Sequence, residues 1–191
     1  MPRKVSPVPK GFRTVTPVLT VAGAAQAIDF YAHVFGAEER SRVYGLDGVS
    51  IAHSELKIGN SLVIVSDENP AFGIHAPSAF GGSAVSQHIY VADVDGVWER
   101  AIEAGATVLV PLADTYWGER YAKIVDPFGH VWSMAKRVEH LSADEIAARA
   151  AALTAPVEIA PVEVVDAVDA DAAGDVVVET VPVADETAVA A

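Results

Sequence analysis

The stretch FRTVTPVLTVAGAAQAIDFYAHVFGAEERSRVY, residues 12–44, predicts the fold of this chain. An extended apolar run over residues 12–21 leads to a glycine, and a helix is predicted over residues 24–35. Its apolar side chains recur at the spacing of a helix that packs one face on a core. Gly36 follows the helix at the position where helices commonly end in a left-handed backbone conformation, which favours glycine. Tyr31 lies on the apolar face, which predicts core packing for it.

The same order of elements recurs in residues 84–112, AVSQHIYVADVDGVWERAIEAGATVLVPL. A strand is predicted over residues 84–91 and a helix over residues 94–104, with Asp93 as its cap and Trp98 on its apolar face. Three strands follow each helix. They are predicted at residues 39–44, 49–58 and 61–66 in the first half, and at residues 107–112, 120–126 and 130–136 in the second.

Each half therefore reads βαβββ, and the fold class is α+β with two modules in one pseudo-symmetric domain. Alternate strand residues of curved sheets would line a cleft. Ser142 and Glu145 form a capping box that predicts one more helix. The predicted organisation is a flexible N-terminus at 1–9, a domain at 10–138 (module one 10–66, linker 67–82, module two 83–138), a C-terminal helix at 139–153 and a tail at 154–191.

The acidic charge is concentrated in the tail. Of the formal net charge of −13, nine acidic residues lie in residues 154–191, which contain no Lys or Arg. The scattered prolines and acids there predict disorder, with a short docking strand at residues 175–179 as the alternative. The rest of the chain lacks the clustered cations that nucleic acid requires, so no nucleic-acid partner is expected.

The chain contains no cysteine, which excludes a disulfide framework, a thiol nucleophile and a thiolate zinc site. Residues 1–10 are basic and proline-rich but precede no apolar run, which predicts neither a signal peptide nor a membrane span. A cytoplasmic protein without a membrane partner is therefore expected.

Several motifs resemble those of the vicinal-oxygen-chelate superfamily, which includes glyoxalases, bleomycin resistance proteins and dioxygenases. They are AIDFY at residues 27–31, FGA at 35–37 and DPFGH at 126–130. HSE at 53–55 and WGERY at 117–121 more narrowly resemble its PhnB-like branch. The resemblance covers about residues 10–137 and implies the two-module fold. Fold alone does not select among the lyases, dioxygenases, epimerases and antibiotic-sequestering proteins of this superfamily.

The resemblance also implies where a metal ion would be held. The four ligand positions fall at Thr16, near Ile64, at Ser86 and at Ser133, although a shift of two residues would bring His88 into the third. Divalent ions of this kind require imidazole or carboxylate ligands. The expectation is therefore no metal and no cofactor.

An unconventional metal site is the alternative. His53 and Glu55 are two residues apart on a predicted strand and share a face, and His88 would join them across the cleft. Two imidazoles and a carboxylate would bind one divalent ion. Otherwise His53 and Glu55 form a hydrogen-bonded pair and His88 lines the pocket.

Without a metal, the cleft is predicted to bind a small molecule through aromatic and polar side chains. Trp and Tyr present flat apolar surfaces with a polar edge. Arg120 would clamp a carboxylate or phosphonate, or else pair with Glu119, Asp126 or Glu55. The predicted ligand-binding residues are His53, Glu55, His88, Tyr90, Trp117, Arg120, Tyr121 and Ser133.

These residues predict a metal-independent small-molecule binding protein that sequesters a toxic metabolite or an antibiotic. The alternative is a metal-dependent lyase or dioxygenase that uses His53, Glu55 and His88, and a third hypothesis is an interaction protein that docks through its acidic tail. No catalytic residue is assigned. The resemblance further implies a homodimer.

Overall fold

The structure is a computed structural model, and it describes residues 5–154. Residues 155–191 of the predicted tail and the first four residues of the predicted flexible N-terminus lie outside this range. The elements within it are β1 Val18–Val21, α1 Ala24–Phe35, β2 Glu38–Tyr44, β3 Ile51–Ile58, β4 Ser61–Asp67, β5 Ser86–Tyr90, α2 Val94–Glu103, β6 Thr107–Asp114, β7 Glu119–Val125, β8 Val131–Arg137 and α3 Ala143–Thr154.

The strands form two four-stranded sheets of the same topology. The first has the order β1-β4-β3-β2 and the second the order β5-β8-β7-β6. β1 runs parallel to β4 with Val18 opposite Ile64, and β5 runs parallel to β8 with His88 opposite Ser133. The remaining pairings are antiparallel. The predicted α+β fold of two βαβββ modules is confirmed.

β1 is the element that departs most from its prediction, because it begins at Val18 and not at Phe12. Ile64 donates its N–H to the carbonyl of Pro17, at 2.9 Å, just ahead of the strand. A proline nitrogen has no hydrogen to return to the ladder, so regular pairing starts one residue later. α1 has the predicted bounds, and α2 ends at Glu103, one residue earlier than predicted.

The core is centred on α1, which packs on the first sheet and reaches the second module. Tyr31 and Trp132 are almost fully buried, with ring centroids 5.4 Å apart, and the Phe35 ring lies 4.6 Å from that of Trp132. Core packing of Tyr31 is confirmed. Trp98 is partly buried and packs against the same core. Contacts between large aromatic rings supply much of the packing energy of such a core.

A buried carboxylate joins the two modules inside this core. Asp126 Oδ2 accepts hydrogen bonds from the Tyr31 hydroxyl at 2.7 Å and from the Trp132 indole N–H at 2.9 Å. Its Oδ1 accepts from the N–H groups of Phe128 and His130, both at 2.9 Å. Burial, and then the neighbouring Asp126 carboxylate, raise the pKa of Tyr31 well above its usual 10.0.

Two 3-10 turns precede the second module, and a capped helix follows it. Two 3-10 turns, Pro70–Phe72 and Pro77–Phe80, occur in the connection between β4 and β5. The predicted capping box is present at α3: Ser142 donates its N–H to Glu145 at 2.7 Å, and Glu145 donates its N–H to the Ser142 hydroxyl at 3.3 Å. No helix within residues 5–154 has the length and apolar character needed to cross a membrane.

Candidate ligand-binding site

The second sheet has one face covered by α2 and one face that no helix of residues 5–154 covers, which we call the open face. Ala122, Ile124 and Met134 are fully buried on the covered face. The side chains between them in sequence project from the opposite face because strand residues alternate. Cross-strand register places these residues on the open face: Ser86, His88, Tyr90, Glu119, Tyr121, Lys123, Ser133, Ala135 and Arg137.

His88 is held at the centre of the open face by one hydrogen bond and two ring contacts. Its Nδ1 lies 2.8 Å from the Ser133 hydroxyl. Its ring is stacked with that of Tyr121 at a centroid distance of 6.3 Å, and it meets the edge of Tyr90 at 4.7 Å. The ring is thus fixed in orientation while its residue stays exposed to solvent.

Glu119 organises the other end of the open face. Its carboxylate accepts hydrogen bonds from the Tyr90 hydroxyl at 2.8 Å and from the Trp117 indole N–H at 2.9 Å. The hydrogen bond to Glu119 is the main cause that raises the pKa of Tyr90. Trp117 also meets Tyr121 edge to face at 5.6 Å. Glu119 was not among the predicted site residues, although its position two residues before Tyr121 places it on the same face of a strand.

Five of the predicted ligand-binding residues therefore lie together on or beside the open face: His88, Tyr90, Trp117, Tyr121 and Ser133. They comprise three aromatic rings, an imidazole and a buried hydroxyl. Hydrogen bonds orient His88, Tyr90, Trp117 and Ser133, and ring contacts orient Tyr121. Such a surface is organised before a ligand arrives, which reduces the entropy lost on binding.

Arg120 lies on the covered face and is engaged there. Its guanidinium binds Asp95 of α2 at 2.6 Å and Asp114 of β6 at 3.2 Å. The sequence had suggested Glu119, Asp126 or Glu55 as ion-pair partners, and none of them is used. The alternation along β7 explains the placement, because Arg120 follows Glu119 and precedes Tyr121.

His53 and Glu55 lie on the first sheet and form a loose pair. Their Nε2 and Oε1 atoms are 3.8 Å apart, and both side chains are partly exposed. His88 is hydrogen-bonded to Ser133 on the other sheet. Over residues 5–154 the structure gathers no three His, Asp or Glu side chains in a position to hold a metal ion. The three residues of the alternative metal site are thus not brought together in a single chain.

The strand register also revises the positions implied by the resemblance. Val18, and not Thr16, lies opposite Ile64, and His88, and not Ser86, lies opposite Ser133. This corresponds to the shift of two residues that brings His88 into the third position. Two aliphatic side chains, one hydroxyl and one imidazole do not fit the ligand requirements of a divalent ion.

A groove of about 700 Å³ adjoins the open face along the edge of β5. His88 and Tyr90 border it on one side, and the turn at residues 58–63 borders it on the other. Phe35 and Trp132 contribute apolar surface to the same groove. Its volume falls in the range of small-molecule sites, which are concave and mostly apolar.

The family model of the Glyoxalase/Bleomycin resistance protein/Dioxygenase superfamily matches residues 13–134, which include both modules. This chain belongs to that superfamily. Among relatives, the uncharacterised protein Rv0887c of Mycobacterium tuberculosis is 42% identical over 137 residues, which are 70% of this chain and 80% of that protein.

Solved structures of the superfamily share the architecture. The product of the Arabidopsis thaliana gene At5g48480 is 28% identical, with a TM-score of 0.52, over 65% of this chain and 98% of that chain. The PhnB protein of Bacillus cereus is 18% identical, with a TM-score of 0.52, over 65% of this chain and 99% of that chain. The similarity to PhnB shows a shared fold and agrees with the PhnB-like motifs of the sequence.

Proposed function

We propose that this superfamily member is a metal-independent small-molecule binding protein and that its open face carries the ligand site. The observation that supports this most strongly is the ordered cluster of Tyr90, Trp117 and Tyr121 around His88 on a sheet face without a helix. Large aromatic surfaces left open to solvent on a soluble domain mark binding sites. Sequestration of a toxic metabolite or an antibiotic is the function we assign to such a site.

The cluster is suited to a planar ligand. Aromatic rings bind flat molecules by offset stacking and edge-to-face contact, each worth about 0.5–1.5 kcal/mol. Tyr121 links the two ends of the cluster, because its ring contacts both His88 and Trp117. The adjoining groove offers room for an apolar extension of the same ligand.

Tyr121→Ala is expected to weaken binding of planar aromatic molecules about tenfold, since one stacking surface is lost. A panel of neutral aromatic amides with one to three rings serves as the probe, and the rise in melting temperature with probe concentration is the measurement. Phe72→Ala is the matched control, because Phe72 is an exposed aromatic in the connection between β4 and β5, outside the open face. Equal binding by both variants, or no binding by the unmodified protein, would contradict the proposed site.

A metal-dependent lyase or dioxygenase is the competing function, and residues 5–154 do not bring three suitable metal ligands together in one chain. We also propose a homodimer in the cytoplasm. Superfamily members generally form dimers, and Val43, Tyr44 and Leu46 leave apolar surface exposed at the edge of the first sheet. The absence of cysteine from the chain is compatible with a reducing compartment.

Native mass spectrometry of freshly purified protein is expected to give a species of about 40 kDa, twice the chain mass of 20.0 kDa, without stoichiometric metal. Dissociation of that species in the gas phase would release any retained ligand. One ion per chain, lost in His53→Ala, would instead support the metalloenzyme. A mass of one chain at micromolar concentration would contradict the homodimer.

A further inference from the structure

Lys123 is the positively charged side chain at the centre of the open face. It lies in one row with Ser133 of β8 and His88 of β5, because Lys123 pairs with Ser133 and Ser133 pairs with His88. Cross-strand neighbours on one face have Cβ atoms about 4.5–5.5 Å apart. Tyr121 precedes Lys123 by two residues and so lies next to it along the same face of β7, about 7 Å away.

Lys123 is partly buried, and no carboxylate within residues 5–154 forms an ion pair with it. Two other cations near the sheets differ in this respect. Arg120 binds two carboxylates on the covered face, and Lys57 pairs with Glu38 on the first sheet. A partly buried ammonium group that has no paired carboxylate binds an anion favourably, because the ion pair offsets the hydration that the ammonium has lost.

The other end of the open face carries both signs of charge, because Glu119 of β7 pairs across the strands with Arg137 of β8. Glu119 lies four residues before Lys123 on β7, which separates the two positions by about 13 Å along the strand. Both carboxylate oxygens of Glu119 already accept a hydrogen bond, from Tyr90 and Trp117. The aromatic cluster lies between Lys123 and this pair of opposite charges, so an acidic group on the ligand is attracted to the Lys123 end, where no carboxylate of the described residues is paired with the ammonium.

We propose that the open face binds an aromatic carboxylic acid, whose carboxylate is held by Lys123 and whose ring lies against Tyr121 and His88. This inference rests on the proposed function and specifies its ligand class. Lys123 thereby takes the anion-binding role that the sequence had suggested for Arg120.

The test compares 2-naphthoate with 2-naphthamide, which has nearly the same shape without the charge. Isothermal titration calorimetry of the full chain at low ionic strength is expected to give about tenfold tighter binding for the acid. Lys123→Gln should abolish that preference by weakening the acid about tenfold and leaving the amide unchanged. Lys136→Gln is the matched control, because Lys136 lies on β8 but on the covered face. Lys123→Arg should retain most of the preference, because it keeps the positive charge.

The outcomes separate the two proposals. Equal binding of acid and amide would overturn the carboxylate inference while the proposed function stands. A preference for the acid that persists in Lys123→Gln would overturn the assignment to Lys123. Absence of binding for both probes, together with failure of the neutral amide panel, would count against the proposed function itself. The melting temperature of unliganded Lys123→Gln should match that of the unmodified protein, which excludes loss of the fold as the cause.

Discussion

Asp126→Ala is expected to lower the free energy of unfolding by about 3–5 kcal/mol, a cost typical of groups left buried without a partner. The carboxylate is 3% exposed and accepts four hydrogen bonds. Without this carboxylate, two buried donors have no acceptor: the Tyr31 hydroxyl of module one and the Trp132 indole N–H of module two. The substitution also removes the acceptor that orders the turn before β8. Urea denaturation followed by tryptophan fluorescence measures the change.

Tyr31→Phe is the matched control for this prediction. It removes a single donor from the same network and keeps the ring in the core, so we expect a loss of about 1–2 kcal/mol. The difference between the two variants then reports the bonds from Trp132, Phe128 and His130. A loss below about 1 kcal/mol in Asp126→Ala would mean that the carboxylate does not connect the two modules energetically.

Asp67→Ala is expected to cost about 2–3 kcal/mol, because one side chain ties three elements together. Its Oδ1 accepts from the N–H groups of Gly23 and Ala24, at 3.1 and 2.7 Å, at the start of α1. Its Oδ2 accepts from the N–H of Ile51 at the start of β3, at 2.7 Å. Gly23 precedes α1 and has no side chain to cap it, so the carboxylate at the end of β4 supplies both the cap and a favourable charge.

The cap of α2 in the second module offers a control, because a residue adjacent to the helix supplies it. Asp93 caps α2 locally, by accepting from the N–H of Gly96 at 3.1 Å, and its carboxylate bonds no other element in the described part of the chain. Asp93→Ala is therefore expected to cost about 1 kcal/mol. Chemical denaturation of both variants should show the larger loss for Asp67→Ala. Equal losses would indicate that Asp67 acts as a simple helix cap and that its bond to Ile51 adds nothing.

The elements that the sequence predicted well are those whose signals are local. The helical period of residues 24–35 followed by Gly36 placed both ends of α1, and Gly36 adopts a φ of 66° as its position required. The capping box at Ser142 and Glu145 marked the start of α3 in the same way. Such signals depend on contacts within about four residues, so the chain order alone encodes them. The repeat of one pattern in two halves then indicated the two-module fold.

The candidate site could be predicted only in part. Alternation along β5 was enough to place Tyr90 with His88, two residues apart, whereas the register between strands was needed to place Tyr121 and Ser133 beside them. Alternation along β7 puts Glu119 and Lys123 beside Tyr121, yet neither was selected, since their roles depend on partners in other strands. Glu119 is recognised by its bonds from Tyr90 and Trp117, and Lys123 by its lack of a carboxylate partner within residues 5–154.

By itself, the sequence determined the family, the order of the elements and the spacing of side chains along each one. The tertiary structure decided which partners those side chains meet: Arg120 with Asp95, Asp126 with Tyr31, and Asp67 with the first turn of α1. The physical reason is the range of the interactions. Periodicity and capping act over a few neighbouring residues, whereas these three carboxylates meet groups 25, 95 and 43 positions away. Packing within each module brings the first and third pairs within hydrogen-bonding distance, and packing between the modules brings the second.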